Sequence, residues 1–314
     1  MFPHAFPFDP TYGRTREQLL AIRAPAEPAD FVSFWQRTYA EARAVPLALE
    51  LRPSATALPD RLVFDVAFTS LGGFRLGGWL TVPRDRPPTR GFVVNHGYGG
   101  RDAPDAWLPD DTAAAIFPCA RGLSRSARPD IGAVAPLHVL HGIAHRETYI
   151  HRGCAADVWA ALRALQEHFP SLTRFDYIGS SFGGGIGALA APWEPAFARV
   201  FLGVPSFGHH PFRLSVPCVG SGEAVRLRAQ RDPSIADVLR YFDASIAARH
   251  LAKPTLVECA LFDPAVSPPG QFAVYNALPG PKELIVIPAS HFEYPAAVAV
   301  EQSTHARMTA FFAG

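Results

Sequence analysis

The sequence is poor in several things, and each shortage excludes a class of function. Only four cysteines occur in 314 residues, at 119, 154, 218 and 259, and no two form a C-x-x-C pair. Neither a disulfide framework nor a thiolate zinc site is expected, and a reduced, cytoplasmic protein is. Charge of one sign is also missing: 29 Lys plus Arg against 28 Asp plus Glu leave a formal net charge of +1. That balance offers no electrostatic footprint for nucleic acid or an anionic membrane. No stretch approaches the ~18 continuous apolar residues of a membrane span. The N-terminal MFPHAFPFDPTYGR has neither the basic region nor the apolar core of a secretory signal. Internal repeats and low-complexity tracts are absent. Proline is plentiful instead, at 31 residues, about twice the usual ~5% share, which pins loops.

A chain of this length can bury a large core and falls within the range of α/β folds. Residues 1–60 are expected to be an N-terminal helical cap outside the sheet. There Asp30 precedes FVSFWQRTYAEARA, whose Phe31, Phe34, Trp35 and Tyr39 recur at helical spacing as a packing face. Leu62–Thr69 and Phe74–Val82 read as a hairpin about Leu71-Gly72-Gly73. Gly91–Asn95 and Ala113–Pro118 read as short buried strands. The remainder of 101–146 is rich in Asp, Pro, Arg and Gly, and reads as an insertion or interface loop. Glu147–Phe169 reads as a helix stopped by Pro170. Strands are expected at the RFDYI run, Val200–Val204, Thr255–Phe262 and Glu283–Ile287, with helical stretches near Ser234–Phe242 and Ala296–Phe312. From residue 91 onward strands alternate with helices. A single α/β domain over 1–314 follows, with a mostly parallel sheet, helices on both faces and an antiparallel edge hairpin.

The candidate chemistry sits at strand ends, where open α/β sheets bind their ligands. Arg174–Ala190 reads RFDYIGSSFGGGIGALA, a strand, a Gly-x-Ser-x-Gly turn and a helix start. That is the nucleophile elbow of α/β hydrolases, and only Ser181 has glycine at both −2 and +2. Asp263 follows TLVECALF and His291 follows ELIVIPAS, which gives the order Ser…Asp…His of that fold. A serine hydroxyl needs an imidazole to take its proton as it attacks. The imidazole needs a carboxylate to fix its tautomer and stabilise its charged form. The oxyanion of the tetrahedral intermediate needs preorganised N–H donors. Those of Phe182 and of Tyr98, in the His96-Gly97-Tyr98 segment after GFVVN, are in position to supply them. The Phe182 side chain is expected at the rim of the same cavity.

Other patterns carry less. Gly185-x-Gly187-x-x-Ala190 matches the dinucleotide fingerprint formally but lies inside the helix, where small residues serve close packing. His209-His210 has no carboxylate or thiol at ligand spacing, and His305 falls on the closing helix. No cofactor and no metal are expected. A binding protein on a hydrolase fold is the non-enzymatic alternative.

Taken together, the motifs resemble those of the acetyl xylan esterase / cephalosporin C deacetylase family along nearly the whole chain. The resemblance rests on Pro28-x-Asp30-Phe31-x-x-Phe34-Trp35, on Asn95-His96-Gly97-Tyr98-Gly99-Gly100 and on Glu147-Thr148-Tyr149 with Arg152 and Asp157. It continues in Asp263-x-x-x-x-Pro268-Pro269 with Phe272-Ala273-x-Tyr275-Asn276. It implies Ser181, Asp263 and His291 as catalytic residues, and Tyr98, Phe182 and Gly97 at the oxyanion and substrate site. It further implies cofactor-free hydrolysis of small acetyl esters of sugars or alcohols, and a homo-oligomer, a hexamer in that family, with contacts through 101–146. Two departures bear on specificity. Phe182 stands where the family carries Gln, and Leu123-Ser124 follow Arg121-Gly122 where it carries Gln-Gly. A different acyl or alcohol preference is the alternative they leave open.

Overall fold

A computed structural model describes residues 2–314. Nine strands form one sheet: β1 (Glu50–Pro53), β2 (Arg61–Ser70), β3 (Phe74–Pro83), β4 (Gly91–Asn95), β5 (Ala114–Pro118), β6 (Phe175–Ser180), β7 (Phe197–Gly203), β8 (Thr255–Ala260) and β9 (Lys282–Ile287). Their spatial order is β1-β2-β3-β5-β4-β6-β7-β8-β9. β1, β2 and β3 are antiparallel and β3 meets β5 antiparallel, while every pair from β5–β4 to β8–β9 is parallel. The mostly parallel α/β sheet with an antiparallel hairpin at one edge is therefore the fold. The segment before residue 60 is not free of sheet, however. Glu50–Pro53 adds the edge strand, and its mostly exposed ELRP carries no apolar alternation that would reveal it.

Period-2 alternation splits the sheet's side chains between two cores. Phe92, Val94, Ile178, Phe201 and Leu256 pack against Met308, Phe311 and Phe312 of the C-terminal helix Ala297–Ala313. Val93, Tyr177, Leu202 and Val257 face the opposite, larger core. There the helix Ile150–His168 lies against the sheet and is itself covered by the helix Phe31–Ala44. Trp159 meets Trp35 and Tyr39 edge-on at 6.3 and 5.0 Å, and its indole N–H donates to Ala190 O at 2.9 Å. Buried on almost every side, the helix has room for a charge only where that charge is paired. Asp157 takes the Arg121 guanidinium at 2.6 Å and the Arg121 N–H at 3.1 Å, which fixes the loop after β5.

Residues 101–146 hold β5, a one-turn helix Ala135–His138 and buried anchors Leu123, Ile131, Val139 and Ile143. Val134 and Leu137 remain 57% and 60% exposed. The helix Ser221–Arg231 has no strong apolar face to announce it: SGEAVRLRAQR buries only Gly222 and Val225.

Candidate active site

The turn from β6 into the helix Phe182–Ala190 places Ser181 at φ 55°, ψ −116°, a region a non-glycine residue occupies at a cost of about 1–3 kcal/mol. Surrounding bonds hold it there. Ser181 N–H donates to Gly203 O at 2.8 Å, and Ser181 O accepts from Gly185 and Ser206 N–H at 3.0 and 3.1 Å. The flanking glycines are required by contact. A Cβ on Gly179 would lie 2.6 Å from Gly183 O, and one on Gly183 would lie 2.9 Å from His96 O.

Ser181 Oγ is 2.9 Å from His291 Nε2, and His291 Nδ1 is 2.9 Å from Asp263 Oδ2. Three side chains from the ends of β6, β8 and β9 thus form one hydrogen-bonded chain. Asp263 is fully buried. Oδ1 accepts the Ala265 and Val266 N–H groups at 2.9 Å, and Oδ2 also accepts the Gln271 amide at 2.9 Å. Burial pushes its carboxyl above the usual range, against the bond and charge of His291 and those two backbone donors. Every neighbour within hydrogen-bond reach is a donor, so the carboxylate is the form this environment accommodates. Burial disfavours the His291 imidazolium, but the hydrogen bond and charge of Asp263 outweigh it and hold His291 above its ordinary value. The arrangement is able to draw the serine proton toward Nε2 and to stabilise the imidazolium that results.

The segment after β4 supplies the other side. A Cβ on Gly97 would come 3.8 Å from Ser181 Cβ, so the loop passes beside the serine. Among the described residues no protein acceptor takes the N–H of Tyr98 or of Phe182. His96 orders this loop, a part the sequence did not disclose. Its Nε2 accepts the Ala120 N–H at 3.0 Å, so Nδ1 carries the proton and donates to Gly97 O at 2.6 Å. That bond fixes the peptide unit whose N–H belongs to Tyr98. Burial pushes His96 down to about 4, so the neutral tautomer persists near neutrality.

Phe182 is not at a cavity rim. It is fully buried, its ring 4.3 Å from that of Tyr98 and about 6 Å from those of Phe207, His138 and His151. Four separate segments close around it, which the elbow motif by itself could not indicate. The Tyr98 hydroxyl turns inward, 3.1 Å from His151 Nε2.

A second unforeseen part is the N-terminal arm. Phe2, His4, Phe6 and Phe8 are half-buried and alternate with exposed Pro3, Ala5, Pro7 and Asp9, as an extended segment with one face on the body requires. Phe2 packs on Phe262, Phe292 and Tyr294, and Phe6 on Phe292. Phe262 and Phe292 adjoin Asp263 and His291. The remaining histidines lie elsewhere. His209 Nδ1 caps its own helix, His210 Nε2 faces Phe242 O, and His305 stacks on Trp107. Among the described residues no group of three or more His, Cys, Asp and Glu is arranged to hold a metal ion. Gly185 and Gly187 sit in the helix against Ser206, Phe207 and Tyr177, serving close packing. No helix among the described residues is long and apolar enough to cross a membrane.

Residues 17–308 match the sequence model described as acetyl xylan esterase (AXE1). Similar solved structures include an acetyl xylan esterase from Paenibacillus sp. R4, with TM-score 0.79 and 22% identity over 94% of this chain and 99% of that one. Acetyl xylan esterase 1 from Thermoanaerobacterium sp. JW/SL YS485 superposes with TM-score 0.78 and 20% identity, over 96% of this chain and 99% of that one. An acylaminoacyl peptidase from Pyrococcus horikoshii reaches 0.64 at 13% identity, over 81% of this chain and 42% of that one, which speaks for the fold alone.

Proposed function

The chain belongs to the acetyl xylan esterase family and is a carboxylic ester hydrolase, and from that premise we propose that it cleaves short acyl esters, acetates foremost, through a Ser181 acyl-enzyme. The observation that carries this reading is the pair of 2.9 Å contacts linking Ser181 Oγ, His291 and Asp263. Ser181 Oγ attacks the acyl carbon as His291 Nε2 takes its proton, and the Asp263 carboxylate steadies the imidazolium. The carbonyl oxygen becomes an oxyanion held by the N–H groups of Tyr98 and Phe182. Collapse expels the alcohol, which receives the proton from His291. Water, deprotonated by the same imidazole, then cleaves the acyl-enzyme and releases the acid.

The short acyl limit rests on family membership. Phe182, Phe207, Tyr98 and His151 pack ring against ring behind the oxyanion loop and hold it in place. Sugar and simple alcohol acetates are the substrate class that family membership favours. A series of p-nitrophenyl esters from acetate to octanoate, beside acetylated xylo-oligosaccharides, tests this. Activity should be greatest on acetate and fall with chain length, and a maximum at octanoate would contradict it.

Self-association through 101–146 belongs to the same proposal. Its support is the exposed Val134 and Leu137 on a segment otherwise anchored in the core. Light scattering at micromolar concentration should give a mass above the 34.0 kDa of one chain, and a monomer mass would end the idea.

A further inference from the structure

Gln271, on the helix Pro268–Ala277, is fully buried within hydrogen-bond reach of the Asp263 carboxylate. A buried amide costs free energy unless its hydrogen bonds are made, and here the carbonyl and both N–H groups are engaged. Oε1 accepts the Ala260 N–H at 2.7 Å. Nε2 donates to Val266 O at 2.6 Å and to Asp263 Oδ2 at 2.9 Å.

The end of a strand accounts for the first of these bonds. Ile287 O on β9 takes the Leu261 N–H, so by strand alternation the Ala260 N–H faces the β7 side. There β7 ends at Gly203, the register partner of Glu258, and no strand is left to take that N–H. The Gln271 carbonyl does so instead. The amide can therefore point only one way. A flipped amide would set its oxygen against the Val266 carbonyl and the Asp263 carboxylate, and an N–H against the Ala260 N–H.

Asp263 Oδ2 thus accepts twice, from His291 Nδ1 and from Gln271 Nε2, each at 2.9 Å. Oδ1 is held separately by the Ala265 and Val266 N–H groups, and those backbone bonds aim the carboxylate. The amide on Oδ2 has a different effect. A donor there stabilises the carboxylate and draws on the charge that the imidazole N–H also uses. Besides His291, the Tyr12 hydroxyl and the Cys218 thiol feel the charge of Asp263. Burial pushes both above their ordinary values, so both stay uncharged near neutral pH.

We propose that Gln271 is a positioning residue for ester cleavage, which shares Oδ2 with His291 and so tempers the hold of the carboxylate on the imidazole. This role rests on the Ser181–His291–Asp263 mechanism proposed above. The tempered hold keeps His291 neutral, and able to accept the serine proton, at lower pH than an unshared Oδ2 would.

The test is the pH profile of kcat/KM on p-nitrophenyl acetate for wild type, Gln271→Met, Gln271→Glu and Asp263→Asn, each at a temperature where it is folded. In Gln271→Met the bonds on Oδ1 keep the carboxylate opposite His291, and Oδ2 serves the imidazole alone. The acid limb should move to higher pH by about half a unit, as loss of one modest hydrogen bond implies, with KM little changed. A merely structural role would lower stability and leave that limb in place. Gln271→Glu keeps an acceptor for the Ala260 N–H, and serves where Gln271→Met does not fold. It sets a second carboxyl against Oδ2, and two carboxyls so close resist ionising together. Its profile should gain an alkaline limb absent from wild type, where the shared proton leaves. Limbs that coincide with wild type in the folded Gln271 variants, while Asp263→Asn is impaired, overturn this role alone. A wild-type profile in Asp263→Asn as well overturns the underlying mechanism, and this role with it.

Discussion

The backbone N–H of Asp263 donates to the carbonyl of Pro10 across 3.1 Å, so the N-terminal arm is bonded directly to the loop that presents the proposed catalytic acid. The arm precedes the residues that match the family model, and its phenylalanines lean on the residues adjoining Asp263 and His291. Deleting residues 2–8 should lower Tm by about 4 °C, equivalent to about 2 kcal/mol in a chain of this size. It should also reduce kcat on p-nitrophenyl acetate by about tenfold with little change in KM, because misplaced reacting groups cost rate rather than binding. A normal kcat at a temperature where the variant is folded would reduce the arm to a stabilising strap.

Asp263→Asn should lower kcat by about 10³–10⁴-fold, through a wrong imidazole tautomer. The pH profile gives a sharper readout. His291 must be neutral to accept the serine proton, and Asp263 holds its pKa above the ordinary value. Wild-type kcat/KM should therefore fall with acidification through a limb above about 6.5. In Asp263→Asn that limb should move to lower pH. A limb that stays in place would mean another group orients His291.

Phe182→Gln tests the revised place of that ring. A buried amide there lacks partners among the surrounding rings, so stability should fall by about 2–4 kcal/mol in a denaturant titration. The ratio of kcat/KM for an acetylated sugar to that for an aryl acetate should hardly move, since the side chain does not face the cleft. A clear shift toward the sugar with stability intact would restore the ring to the rim.

How far the chain could be read from its residues depended on whether the information was local. β4, β6, β8 and β9 are short, mainly apolar runs, the pattern strands of a covered parallel sheet carry, and the elbow glycines are dictated by a turn only a few residues long. Ser181, Asp263 and His291 were legible because each follows such a run. The fate of Phe182 was not, since Tyr98, His138, His151 and Phe207 close around it from four distant segments. The polar edge strand β1 and the helix Ser221–Arg231 lack an apolar period for the same kind of reason: what they pack against lies elsewhere in the chain. The tautomer of His96 needed the Ala120 N–H, which only the fold brings to it.

That histidine yields a prediction about acid stability. Its folded-state pKa is depressed to about 4 by burial, against about 6.5 in the unfolded chain. The unfolded state therefore binds the extra proton first, and the contribution is fully present above about 6.5 and lost as pH falls toward 4. At pH 5 the loss from His96 alone is about 2 kcal/mol, and buried His138, His151 and His210, all depressed, add in the same direction. Urea midpoints should thus drop markedly between pH 7.5 and pH 5. His96→Asn should flatten part of that slope while lowering kcat through the freed Gly97–Tyr98 peptide. An unaltered slope would show that His96 is not neutral in the folded protein.

The most direct measurement is of Ser181 itself. The protein is treated with a serine-reactive phosphonate, digested and mapped by mass spectrometry, with p-nitrophenyl acetate hydrolysis followed on the same sample. The account predicts one adduct, on the peptide carrying Ser181, rising in step with the loss of activity. It also predicts that Ser181→Ala takes no label and loses kcat by about 10⁶-fold, leaving only what binding and the oxyanion donors provide. An adduct on another serine, or a Ser181→Ala variant that still hydrolyses the ester at close to the wild-type rate, would contradict it.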